Sequence, residues 1–221
     1  MTRVKWLKVS DGFGRGRVKE LAKALSEKSY SDEKSLGFIV DELRNDYLKS
    51  RYISKRVVKQ KIETPFGECF DQELISYDTT KFIISSTGPG LELIDPPRST
   101  SEYFNQLSLS SNFQISFSEI SVDIKAWLKN ITVKDGCVVV LKSFECKEIK
   151  LGESLRGTLV VSGAGNIEDE IRSLLGKRVY SLKRVKMAVN GCDVTISSNC
   201  SAQIGYGDYE SIVRLLRDSI P

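Results

Sequence analysis

The fold of this chain is decided by residues 178–199, whose sequence is RVYSLKRVKMAVNGCDVTISSN. Asn190-Gly191 divides this segment, and this dipeptide favours the two-residue β-hairpin turn in which both positions need positive φ. A turn of two residues fixes the register, so position 189 faces 192, 187 faces 194 and 185 faces 196. One face of the predicted hairpin is then apolar throughout: Val185, Met187, Val189, Cys192, Val194 and Ile196. The segment therefore predicts a hairpin that presents this face to the core.

The elements around this hairpin predict a β-α-β-β-α order for the C-terminal part of the chain, residues 116–221. Residues 157–163 (GTLVVSG) have the composition of a strand, and Asn166 begins a helix with apolar residues at helical spacing. Asp208 begins a final helix whose apolar positions are Ile212, Val213, Leu215 and Leu216. This order matches much of a ferredoxin-like unit, which we therefore predict here.

The preceding part, residues 1–115, is predicted to contain helices and an antiparallel meander. One helix is predicted over 17–28, and a second over 31–50, where apolar residues recur at helical spacing: Leu36, Ile39, Val40, Leu43 and Tyr47. Strands are predicted at 3–9, 55–63, 69–77, 81–87 and 91–95. The chain is therefore predicted to be α+β, with mainly antiparallel sheets, flanking helices and a soft boundary near residue 115.

The composition removes several chemistries. The 221-residue sequence has no histidine, which excludes Ser-His-Asp and Cys-His catalysis and every His-ligated metal site. Five scattered cysteines form no CxxC pair and are expected to be free thiols. The Gly163-Ala164-Gly165 loop precedes the acidic helix start Glu168-Asp169-Glu170, which would repel a pyrophosphate. We expect neither a cofactor nor a metal.

Hydropathy predicts a cytoplasmic protein without membrane association. The sequence has no run of about 18 apolar residues, the length that a membrane-spanning helix requires. Residues 1–16 (MTRVKWLKVSDGFGRG) show no apolar segment of the kind found in secretory signals.

Charge is distributed unevenly along the chain. Residues 1–61 carry 16 Lys/Arg against 8 Asp/Glu, a net charge of +8, whereas residues 62–133 carry 4 against 10, a net charge of −6. Residues 134–221 carry 13 against 11, which brings the sum to +4. This pattern indicates either that the basic and acidic segments neutralise each other or that the basic segment binds a polyanion.

Two regions supply candidate nucleic-acid contacts. In the basic segment, Arg15 and Arg17 lie on or beside a glycine-rich loop, and Lys55, Arg56, Lys59 and Lys61 fall within seven residues. In the C-terminal hairpin, the face opposite the core is predicted to carry Tyr180, Arg184 and Lys186 beside hydroxyl and amide side chains. Cations with such donors can lie against a phosphate backbone, and an exposed aromatic ring can stack on a base.

Residues 138–148, VVVLKSFECKE, raise an alternative, because a strand that ends in Glu-x-Lys is found in many metal-dependent nucleases. Strand alternation predicts that Glu145 and Lys147 share a face, but such a site also needs a nearby Asp. Asp135 lies ten residues earlier in the sequence, about 33 Å along an extended strand, which is too far to share one metal.

These observations favour a non-catalytic, DNA- or RNA-associated binding module that works as an accessory subunit of a protein complex. It would contact the phosphate backbone without sequence specificity and would also bind a protein partner. Two alternatives remain open: an adaptor that contacts protein only, and a metal-dependent nuclease-like enzyme that uses Glu145 and Lys147.

Overall fold

The computed structural model of the chain describes residues 1–10, 14–150, 154–176, 178 and 180–221. Within these residues there are eleven strands and five helices. In chain order they are β1 Thr2–Val9, α1 Arg15–Glu27, β2 Leu36–Leu43, β3 Tyr47–Glu63, β4 Cys69–Ser85, β5 Gly90–Ile94, α2 Ser101–Ser110, β6 Phe117–Glu119, α3 Ile124–Thr132, β7 Val139–Lys150, β8 Arg156–Ser162, α4 Glu168–Leu175, β9 Ser181–Val189, β10 Cys192–Ser197, β11 Ser201–Ile204 and α5 Tyr209–Arg217.

The described residues form two compact units. Unit 1 contains Met1–Lys8 and Phe117–Pro221, and unit 2 contains Val9–Ser116. In unit 1 the strand order is β1-β11-β10-β9-β7-β8, with β6 paired to β1, and in unit 2 it is β2-β3-β4-β5. Neighbouring strands along both paths are antiparallel, so the predicted mixture of helices with mainly antiparallel strands is confirmed.

The hairpin of β9 and β10 has the predicted turn and register. Asn190 and Gly191 have φ angles of 49° and 81°, as a type I′ turn requires. Val189 faces Cys192, Met187 faces Val194 and Val185 faces Ile196. All six side chains are buried, so the predicted core face is confirmed.

The core of unit 1 lies between this sheet and its helices. Trp127 of α3 packs edge-on against Trp6 of β1, with ring centroids 5.9 Å apart. The Trp127 indole also donates a hydrogen bond of 2.9 Å to the carbonyl oxygen of Leu216 in α5. This bond satisfies the indole nitrogen and joins two helices over one face of the sheet.

The predicted ferredoxin-like unit is not confirmed. The order of β8, α4, β9, β10 and α5 along the chain is as predicted, but β7 lies between β8 and β9 in the sheet. A further strand, β11, follows β10 and pairs with it before α5 begins. The C-terminal part is therefore a larger antiparallel sheet than the predicted unit.

Unit 2 has an aromatic core beneath α1 and α2. Tyr103 of α2 lies 5.1 Å from Phe82 of β4 and 5.9 Å from Tyr52 of β3, measured between ring centroids. Phe38 of β2 lies 5.2 Å from Tyr52 and completes the cluster. Ser54 and Thr80 form the outermost buried positions of β3 and β4 on this face.

The helix predicted over 31–50 is wrong, because these residues form β2 and the start of β3. A bulge at Asp41 explains the error: Val40 faces Ser50, whereas Glu42 faces Lys49. The extra residue places Leu36, Val40 and Leu43 on one face of a strand at spacings of four and three, which are also helical spacings.

None of the described helices is long and apolar enough to span a membrane.

Replacing Gly191 with Val should destabilise the protein by about 1–2 kcal/mol, because a β-branched residue is strained at positive φ. Thermal and urea unfolding would measure this loss. Gly165→Val is the matched control, since an added Cβ meets open space at both positions but only Gly191 has a positive φ. Equal stability of the two variants would contradict the strain argument.

Candidate nucleic-acid interface

Two rows of side chains cross the sheet of unit 1 on the face opposite the core, and we call them together the polar face. Cross-strand register defines the first row as Arg3, Gln203, Thr195, Lys186, Ser143 and Ser162. It defines the second row as Lys5, Ser201, Ser197, Arg184, Glu145 and Val160. The polar face thus brings together cations and hydroxyl groups from strands far apart in the sequence.

Two bulges determine the composition of the polar face. In β7, Leu141 faces Met187 but Ser143 faces Lys186, so Lys142 is an extra residue. A bulge exchanges the two faces for every residue beyond it. Simple alternation would put Ser143 and Glu145 on the same face as Val139 and Leu141, but the bulge places them on the opposite face.

The second bulge moves Tyr180 away from the polar face. Lys183 is an extra residue in β9, because Glu145 faces Arg184 whereas Cys146 faces Leu182. Tyr180 and Leu182 consequently pack against the core cluster, and Lys125 lies 3.7 Å from the centroid of the Tyr180 ring. The predicted grouping of Tyr180 with Arg184 and Lys186 on one face is therefore wrong.

Several charges on and around the polar face are paired. Lys5 lies 2.6 Å from Glu119, and Lys142 lies 2.6 Å from Asp193. The hydrogen bond from Lys142 lowers the pKa of Asp193, and the charges of Lys142 and Lys186 add to this effect. These pairs hold acidic groups at the margins of the two rows.

Arg184 and Lys186 differ from these cations. Both side chains are exposed, and within the described part of the chain neither forms an ion pair. They line a shallow groove of about 340 Å³ together with Met1, Ser143, Phe144, Glu145, Val160, Thr195 and Gln203. The groove therefore offers two positive charges without ion pairs beside hydroxyl and amide donors. It also contains Glu145, which faces Arg184 across the strands and lies 3.3 Å from Lys183.

The predicted cations of β3 lie in a different electrostatic environment. Arg56 lies 2.7 Å from Asp78, and Lys59 lies 2.9 Å from Glu73, whose hydrogen bond raises the Lys59 pKa. In the cross-strand register, Lys61 faces Asp71 and Lys55 faces Tyr77. The acidic residues of β4 thus pair with or face three of the four predicted cations of β3.

The two arginines predicted on or beside the glycine-rich loop, Arg15 and Arg17, both lie in α1. Arg17 is the second of them. Its guanidinium donates a hydrogen bond of 3.5 Å to the carbonyl oxygen of Gln114. The side chain of Arg15 lies outside the described part of the structure.

Glu145 and Lys147, the nuclease-like pair, both lie near Lys183. The Glu145 carboxylate is 3.3 Å from the Lys183 ammonium. A side-chain hydrogen bond with Lys183, together with the positive charge of Lys183, lowers the pKa of Lys147. Among the residues that the structure describes, no group of three or more Cys, Asp or Glu side chains is placed to hold a metal ion.

No protein-family model matches this chain, and no curated protein matches its sequence.

Replacing Lys183 with Met should raise the Lys147 pKa, because it removes the neighbouring positive charge that disfavours the protonated amine. Nitrogen-detected NMR titration of the lysine side chains would measure the shift. Lys186→Met serves as the control, since Lys186 does not contribute to the Lys147 pKa. An unchanged Lys147 pKa in the Lys183 variant would show that Lys183 is not the cause.

Proposed function

We propose that this protein is a non-catalytic module that binds the phosphate backbone of nucleic acid through the polar face of unit 1. The observation that supports the proposal is the pair of exposed cations, Arg184 and Lys186, that have no ion-pair partner among the described residues. They lie two positions apart on β9, so their Cα atoms are about 7 Å apart along the strand. Uncompensated charges of this kind bind phosphate by releasing condensed counterions.

The neighbours of these cations favour contacts to the nucleic-acid backbone. Ser143, Thr195 and Gln203 line the same groove, and hydroxyl and amide groups commonly bond to phosphate and sugar oxygens. The two rows contain no aromatic side chain, and Tyr180 packs against the core cluster instead. Binding should therefore depend on phosphate charge and be insensitive to base sequence.

The exposed half of the β3–β4 hairpin supports a second role in protein association. Phe66, Phe70 and Leu74 are 92%, 51% and 59% exposed, and exposed apolar groups of this kind commonly mark protein interfaces. We therefore propose an accessory subunit that binds nucleic acid and protein, in a cytoplasmic complex. An adaptor that binds protein alone is the second candidate.

The double variant Arg184→Glu with Lys186→Glu should weaken binding to mixed-sequence DNA and RNA by about tenfold or more at low salt. It should also reduce the salt dependence by about two phosphate contacts. Fluorescence anisotropy with a labelled duplex and a labelled single strand, repeated across a salt series, would measure both quantities.

Lys59→Glu with Lys61→Glu is the matched control, because it changes the net charge by the same amount. Its effect should be smaller, since Lys59 is already paired with Glu73 and Lys61 faces Asp71. Equal losses in the two double variants would indicate a response to net charge rather than a site on the polar face. Absence of binding by the parent at low salt would favour the adaptor.

A further inference from the structure

The outer part of the β3–β4 hairpin, residues 55–77, extends beyond the core of its unit, and we call it the ribbon. Ser54 and Thr80 are the outermost buried positions of the two strands. Beyond them, both faces of the two strands are largely exposed. A two-stranded hairpin without packing on either face is at best marginally stable in water, so the ribbon favours a partner that covers it.

The two faces of the ribbon differ in chemistry. One face, which we call the amide face, carries three consecutive uncharged cross-strand pairs: Val58 with Leu74, Gln60 with Gln72, and Ile62 with Phe70. The opposite face carries Val57 with Ile75, Lys59 with Glu73, and Lys61 with Asp71. These three pairs of the amide face can be covered without desolvating a charged pair, which would oppose association. Arg56 follows on the same face at the base of the ribbon, where it is paired with Asp78.

Charge also varies along the ribbon. Near its base, residues 55–58 and 74–77 carry Lys55 and Arg56 and no acid, and Asp78, the residue just beyond the ribbon, leaves a net charge of 2 − 1 = +1. Towards its tip, residues 59–73 carry two lysines against Glu63, Glu68, Asp71 and Glu73, a net charge of 2 − 4 = −2. Two ribbons that run in opposite directions therefore place an acidic tip beside a basic base at each end.

We propose that the ribbon binds the ribbon of a second copy of this chain, amide face to amide face, about a two-fold axis. In a two-fold interface each surface is its own complement, and the charge distribution along the ribbon meets that condition. Glutamine also suits a self-pairing surface, because its amide can both donate and accept a hydrogen bond. This proposal does not depend on nucleic-acid binding by the polar face.

The size of the ribbon sets the expected strength of the dimer. Nine residues of strand extend about 30 Å, so two such ribbons bury less area than a typical stable protein interface. The dimer should therefore be weak and reversible, with a population that depends on protein concentration.

Adjacent valines provide the test, since Val57 and Val58 are 48% and 53% exposed and point to opposite faces. Sedimentation velocity of the full chain across a dilution series should show a monomer–dimer equilibrium. Val58→Lys should weaken this dimer by about tenfold or more, because the dimer would bury two added charges, whereas Val57→Lys should leave it within about threefold of the parent. Circular dichroism and thermal unfolding of both variants would establish that each is folded.

Gln72→Glu gives a second test that does not change an apolar side chain. It adds a like charge on each side of the two-fold axis, so the dimer should weaken relative to the parent at neutral pH. A parent chain that stays monomeric at every concentration would overturn the proposal. Equal weakening by Val57→Lys and Val58→Lys would also overturn it, because the amide face would then have no special role.

Discussion

One-residue bulges decide which side chains reach which face of the strands in each unit. A strand alternates with a period of two, so one extra residue exchanges the faces of everything beyond it. The bulge at Lys142 brings Ser143 and Glu145 onto the face of Arg184 and Lys186, while Phe144 and Cys146 lie in the core. The bulge at Lys183 returns Leu182 and Tyr180 to the core side. The composition of the polar face therefore depends on both bulges.

The positions of these bulges also separate the parts of the fold that the sequence predicts from the parts that it does not. The register of β9 and β10 is predictable because the Asn190-Gly191 turn sets it within a few residues. The bulge at Asp41 instead gives Leu36, Val40 and Leu43 a helical spacing, and only the pairing with β3 shows that they form a strand. Strand alternation puts Tyr180 on the wrong face for a related reason, since it cannot reveal the extra residue at Lys183.

The charge pattern shows a second limit of sequence-based prediction. A segment with Lys55, Arg56, Lys59 and Lys61 indicates a polyanion site when its neighbours in space are unknown. Its strand partner supplies Asp71, Glu73 and Asp78, which face or pair with Lys61, Lys59 and Arg56, so these three cations lie beside acids that the segment itself does not show. The sequence predicts only part of the polar face. Arg3, Lys5 and Glu145 join Arg184 and Lys186 there through strand pairings between residues that are far apart in the sequence.

The ribbon and the polar face differ in how many of their cations form ion pairs, and this difference favours different partners for the two surfaces. The ion pairs of the ribbon are exposed, so each contributes little to stability, but together they remove the net positive charge that a polyanion requires. What remains on the ribbon is apolar and amide surface, which suits a protein partner. On the polar face, Arg184 and Lys186 have no ion pair among the described residues, because Glu119, Asp193 and Glu145 are paired with other lysines. The proposed phosphate site depends on this difference in ion pairing, which the number of lysines and arginines in a segment does not reveal.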